Sequence, residues 1–118
     1  MVRLEDPLSK ITRLFPPGGM IEEKEEPWEA ARREAVEETG HEVEVIRESE
    51  KLYRYDFVWA GRSFDCSTYF YSARLIRLVS TDIDDAVFHR GAEWIPKSEI
   101  ASALDFHDII QRAVLEKL

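Results

Sequence analysis

The clearest pattern along the chain is alternation. Between Leu52 and Trp59, the residues Tyr53, Tyr55, Phe57 and Trp59 fall at every second position, so in an extended strand all four point to one face. A second stretch of strand-forming residues, Phe64 to Leu78, follows the break Ala60-Gly61-Arg62, and the two read as the arms of a β-hairpin. Val43 to Ile46 alternates in the same way and predicts a strand ahead of the hairpin; Val87 to Ile95 predicts one after it.

The rhythm is helical elsewhere. Pro27 to Thr39 reads as a helix, because Pro suits a first turn and Gly40 suits the left-handed position just past the end. Asp105 is the expected N-cap of a last helix with Phe106, Ile109, Ile110, Ala113 and Val114 on one stripe. Residues 1–14 form a lead-in, extended around Ile11 to Phe15, with Val2 to Glu5 as the tail of a strand. Pro16-Pro17-Gly18-Gly19 is a turn, Met20-Ile21 a short strand, and Glu22 to Glu26 an acidic loop. No repeat or linker divides the 118 residues, so a single domain over 1–118 is expected. Periodicity alone supports a mixed α/β or α+β class.

Charge narrows the partners. A net charge of −8 argues against general attraction to nucleic acid or an anionic membrane; neither is expected as a partner. An acidic protein that handles a phosphate substrate needs a cation to mediate. One cysteine, Cys66, allows no internal disulfide and reads as a small buried apolar residue. With no apolar run approaching a membrane span, the expected location is the cytoplasm.

The helix at Pro27 carries an awkward feature. Glu34, Glu37 and Glu38 fall within an arc of roughly 100°, next to the natural core face of Trp28, Ala31 and Ala35. Two carboxylates ~4 Å apart repel by about 4 kcal/mol at an effective dielectric of 20. A divalent cation turns that repulsion into attraction, and clustered carboxylate oxygens suit hard ions such as Mg²⁺ or Mn²⁺. A Glu-rich helix on its own is more often a solvated face.

The wider spacing decides between these. From Gly19 the chain has five residues to Glu25, seven more to Arg33-Glu34, then Ala35, Val36, Glu37-Glu38, Thr39 and Gly40. This resembles the signature of the Nudix hydrolases, G-x5-E-x7-R-E-U-x-E-E-x-G-U with U apolar, and every fixed letter matches. The resemblance implies an α/β/α sandwich with a mixed β-sheet. It also implies hydrolysis of the pyrophosphate bond of a nucleoside diphosphate linked to another group, dependent on Mg²⁺ or Mn²⁺. Glu37 and Glu38 match the main metal-binding pair, and Glu34 a further ligand or catalytic base. Arg33 matches an arginine that pairs with the acid at Glu25 and orients the carboxylates. Gly18-Gly19 matches a turn where a backbone carbonyl, that of Gly18, reaches the metal and the chain at Gly19 passes close to phosphate. Glu22 holds a position that is often acidic and is a substrate-side candidate. The alternative is a Nudix-fold nucleotide-binding or regulatory module with little or no turnover.

The chain also departs from that pattern. His41 stands where an apolar residue ends the signature, and Lys24 where glycine is frequent. Only eighteen residues precede Gly19, about half of what such chains commonly have, so the N-terminal strands read as shortened. The sheet edge this leaves open leads to an expected C2 homodimer. Family enzymes often use a Glu ahead of the last strand. None occurs between Glu50 and Glu93, and Asp85, in the cluster Asp82, Asp84 and Asp85, is the candidate in its place. His41, His89 and His107 are scattered and read as structural or surface residues. The aromatic face from Tyr53 to Trp59 can either stack a nucleobase or pack under a helix.

Overall fold

The alternating stretch folds into one long hairpin. A computed structural model of the chain describes residues 1–79 and 89–118. In it β3 (His41–Trp59) and β4 (Arg62–Leu78) pair antiparallel from His41 opposite Leu78 to Trp59 opposite Arg62. The two strands expected at Val43 to Ile46 and Leu52 to Trp59 are therefore one. Their polar join, Arg47 to Glu50, is a β-bulge where the register shifts between Ile46 and Lys51. Ser49 closes it: its hydroxyl donates to the Ile46 carbonyl (2.5 Å) and accepts from the Ser72 N–H (2.7 Å), satisfying backbone groups the bulge takes out of the ladder.

The hairpin turns at Ala60 and Gly61, both at positive φ (52° and 74°), as a tight two-residue hairpin loop requires. Ala60 is held there by its N–H bond to Asp6 Oδ2 (2.8 Å), while Asp6 Oδ1 accepts from the N–H groups of Leu8 and Ser9 (2.8 and 3.0 Å). The bonds from Ser9 and Ala60 hold the Asp6 carboxyl below its ordinary range. One carboxylate thus pins the N-terminal turn to the hairpin tip.

A second sheet has the order β2-β1-β5, with β1 at Val2–Glu5, β2 at Thr12–Phe15 and β5 at His89–Ala92. The expected strand Val87 to Ile95 is seen as β5 alone; Val87 and Phe88 lie outside the described residues, as does Asp85. Two sheets and three helices among the described residues give the α/β class expected from the sequence. Every strand pairing among them is antiparallel, so the parallel pairing of a mixed sheet is not found there. Met20-Ile21 forms no strand, because the Met20 carbonyl accepts from Arg33 instead of joining a ladder.

The helix α1 (Pro27–Thr39) packs on β3 and β5. Two shorter helices follow, α2 (Lys97–Ala103) and α3 (Asp108–Leu115). The sequence reading placed one helix here, capped by Asp105; the structure places Asp105 in the connection and makes His107 the N-cap of α3. Ile100, Leu104 and Ile110 form the core between these helices, with Tyr55, Phe57 and Phe106 against them. Among the described residues no helix is long and apolar enough to cross a membrane.

Candidate active site

Local rules build α1 as a rigid platform. Pro27 lies in its first turn, the Glu26 N–H is capped by Glu29 Oε1 (3.0 Å), and Gly40 closes the helix at φ 74° with its N–H on the Val36 carbonyl (2.8 Å). The buried residues of the helix are Ala30 and Ala35. The expected face of Trp28, Ala31 and Ala35 is corrected by Ala30, which rotates the buried side toward Glu34. With only 15% of its side chain exposed, Glu34 lies within that side and not at its margin.

What holds such an acid is Arg33, whose guanidinium carries five N–H groups, all engaged. Nε and Nη2 grip Glu25 through both carboxylate oxygens (2.8 and 3.0 Å), and Nη1 reaches Glu34 Oε1 (2.9 Å) and Glu37 Oε2 (3.1 Å). The second Nη2 hydrogen goes to the Met20 carbonyl (3.0 Å). The Arg33 bond lowers the Glu25 carboxyl to a pKa of about 2, and Glu25 in return raises the guanidinium further above its ordinary value. Glu22 is more peripheral: its N–H donates to Glu25 Oε1 (3.0 Å), and its own carboxylate stands 3.7 Å from Arg33 Nη1 and 67% exposed.

Glu38 has a different environment. Burial, opposed by a bond from the Gly18 N–H to its Oε1 (2.9 Å) and aided by close contact with the Glu34 carboxyl, pushes its pKa up to about 8. Gly19 lies directly on Glu34, since a Cβ there would stand 2.3 Å from Glu34 Oε1; one at Gly18 would meet nothing within 4 Å. Lys24, in the same loop, is at φ 65°, a left-handed conformation that disfavours any side chain. Glycine would adopt it freely. His41 makes an edge contact with Trp94 (5.6 Å).

The three glutamates expected at a metal are thus divided. Glu34 and Glu38 meet beside the Gly18-Gly19 turn, while Glu34 and Glu37 each have an oxygen on Arg33 Nη1. Among the described residues no three His, Cys, Asp or Glu side chains converge into a metal cage. The Glu34–Glu38 pair still fits Mg²⁺ or Mn²⁺, because such ions commonly take one or two carboxylates and complete their shell with water and substrate phosphate.

Sequence reasoning left a second feature open. Phe15, Phe57, Trp59, Phe106 and His107 line a cleft of about 440 Å³, with Arg13 at its rim. This volume is within the usual range for small-molecule sites. Phe15 makes edge contacts with Phe57, Trp59 and Phe106 at 5.7, 6.3 and 5.2 Å, and the Arg13 guanidinium covers the Phe106 ring at 4.7 Å. The aromatic face of β3 is therefore split between packing and an opening. Tyr53 is buried, and Phe57 and Trp59 line an opening. The period-two aromatics signalled the strand face; Phe106 and His107 had no signal in the sequence that tied them to it.

A fold with α1 and its glutamates behind a Gly-Gly turn defines the class. The model of the NUDIX domain matches residues 3–118, and the chain belongs to that family. It is similar to an RNA pyrophosphohydrolase of Bartonella henselae, 52% identical over 42 residues, which are 35% of this chain and 24% of that protein. It is also similar to an RNA pyrophosphohydrolase of Bartonella bacilliformis, 54% identical over 44 residues, 36% of this chain and 25% of that protein. The matched stretch spans about a quarter of each relative's length.

Proposed function

We propose that the chain hydrolyses the pyrophosphate bond of a nucleoside diphosphate linked to another group, with Mg²⁺ or Mn²⁺ at Glu34 and Glu38. The observation that carries this reading is the convergence of those two carboxylates on the Gly18-Gly19 turn, Glu38 Oε1 on the Gly18 N–H and Glu34 beside Gly19. When bound, the cation would supply positive charge for the diphosphate oxygens and a more acidic water. Arg33 keeps Glu25, Glu34 and Glu37 in place. Glu34 holds or accepts the proton of the attacking water. Gly18 and Gly19 present bare backbone to the phosphates, with the Gly18 carbonyl as a further metal donor. Glu37 completes the acidic rim, ready to join the metal when its oxygen leaves Arg33. Glu22 borders the phosphate path, and Asp85 remains the proposed additional acid.

The aromatic cleft takes the planar organic part. Phe15 and Gly18 are three residues apart, so their Cα atoms lie within about 11 Å of each other. A base against Phe15 therefore leaves its phosphates near Gly18 and Glu38. A pyrophosphate-bearing RNA is the second reading, favoured by the names of the two relatives; under it nucleic acid would be a partner, against the expectation from net charge. The same reading places the chain in the cytoplasm, in keeping with the free thiol of Cys66. It pairs two copies through the outer edge of β4, where Leu75, Ile76 and Leu78 are exposed and no further strand pairs among the described residues.

The test is a panel of nucleotide sugars, dinucleoside polyphosphates, nucleoside triphosphates and a 5′-triphosphorylated oligoribonucleotide, assayed for phosphate products with Mg²⁺ or Mn²⁺. Turnover of one class, lost in Glu37→Gln and kept in Glu29→Gln, is the expected result. Tight binding with no cleavage anywhere in the panel would favour a binding module instead.

A further inference from the structure

His107 caps α3 with its ring. Nδ1 accepts from the Ile110 N–H (3.2 Å), and Nε2 lies 2.9 Å from the Asp56 carbonyl oxygen on β3. A carbonyl only accepts, so Nε2 carries the hydrogen and Nδ1 is bare. The two bonds together fix a neutral ring in one tautomer. The same ring packs edge-on against Tyr55 (5.0 Å), tilts over Phe57 (6.1 Å) and lines the aromatic cleft.

We infer that His107 is a positioning residue for the cleft, tying the start of α3 to β3 only while its ring is neutral. The part that concerns substrate rests on the function proposed above for the cleft; the tie itself does not. A protonated ring carries N–H at both nitrogens. Nδ1–H would then face the Ile110 N–H, the cap would be lost, and the ring would turn from the wall it forms with Tyr55 and Phe57. Charged groups face this ring from several elements. Asp105 and Asp108, its near neighbours in sequence, carry the charge sign that suits a charged ring. The helix N–H groups and Arg13, stacked on Phe106 from β2, oppose one. Asp6, on the N-terminal turn that also lines the cleft, is engaged by three backbone N–H groups. On β3 the neighbours are Tyr55, whose hydroxyl is bonded to Thr68, and Asp56 through its carbonyl.

His107→Asn separates the parts of the inference, because Asn supplies a cap oxygen that does not titrate yet is too short to hold both ends. Melting temperature measured without substrate from pH 8 to pH 5 should fall by about 3–8 °C more in the wild type than in His107→Asn. With the best panel substrate, acidification should raise the wild-type KM more than it lowers kcat, while the variant shows a raised KM with no such pH response. Should the variant fail to fold, imidazole ¹⁵N shifts of the wild type decide the matter: an Nε2–H tautomer at pH 8, with loss of Ile110 amide protection at pH 5, is expected. Parallel melting curves, or the Nδ1–H tautomer, would overturn the tie. Matching KM profiles in wild type and variant would overturn the positioning role, and absence of turnover across the panel would instead remove the function on which that role rests.

Discussion

Replacing Gly19 by alanine should damage the site while sparing the fold. Gly19 is not at positive φ, so its backbone accepts a side chain. The obstacle is Glu34, whose Oε1 and Cδ would stand 2.3 and 2.5 Å from the new Cβ. To regain ordinary van der Waals distance the carboxylate must retreat by about 1 Å. It cannot do so freely, because Arg33 Nη1 holds it at 2.9 Å and Glu38 lies against it. A misplacement of this size in a reacting group costs roughly 100-fold in rate, equivalent to about 2.7 kcal/mol in the barrier. Stability should suffer less, since moving a side-chain terminus off its rotamer costs about 1 kcal/mol, a few degrees in melting temperature. The assay is kcat/KM and thermal melting of Gly19→Ala, Gly18→Ala, Glu34→Ala and the double variant Gly19→Ala/Glu34→Ala. Gly19→Ala should lose at least about tenfold more activity than Gly18→Ala, whose Cβ meets no atom within 4 Å. On the Glu34→Ala background the clash has no partner, so adding Gly19→Ala should change little. Additive losses in the double variant would refute the steric argument.

Four further outcomes are expected. Mg²⁺ or Mn²⁺ should raise the melting temperature by mass action, and Glu38→Gln should remove most of the rise; equal shifts would exclude Glu38 from the metal. Glu25, held near a pKa of about 2 against an ordinary 4.5, contributes stability that is present above pH 4.5 and lost as pH falls toward 2; Glu25→Gln should be less stable at neutral pH and flatter across that window in acid unfolding. Lys24→Gly should raise the melting temperature, because relief of a left-handed side chain, about 1–2 kcal/mol, outweighs glycine's entropy cost of about 0.5–1 kcal/mol; a fall would mean that the Lys24 side chain makes a contact that matters. Light scattering at micromolar concentration should show a dimer, and a monomer would remove the proposed pairing through β4.

The helix α1 and the hairpin were legible because each has its own punctuation: Pro27 and Gly40 for one, Ala60-Gly61 between alternating arms for the other. The continuity of β3 was not, since the run Arg47 to Glu50 looks like a loop until Ser49 is seen to satisfy the backbone that the bulge releases. The helix α2 is seven residues long, too short for its apolar spacing to register. Asp105 carried the local cap signal and His107 took the position, because a ring reaches both Ile110 and β3 and a short carboxylate does not. At the site, the spacing of Glu25 and Arg33 marked residues that meet. That Arg33 takes both Glu34 and Glu37 on one nitrogen while Glu38 goes to the Gly18 N–H depends on the rotation of α1, which Ala30 sets and no motif records.

The saturated guanidinium of Arg33 has a consequence for how this sequence can drift. With all five N–H groups committed to protein oxygens, no mutation at Glu25, Glu34 or Glu37 has a private effect; each strands a donor shared with the others. The first substitution among these positions meets the full penalty, and later ones meet less, because what they would break is already broken. Intermediates between an intact set and a wholly different one are therefore the poorest members of the path. Descendants of such a chain should be found with all four residues present or with the group dissolved together, and seldom in between.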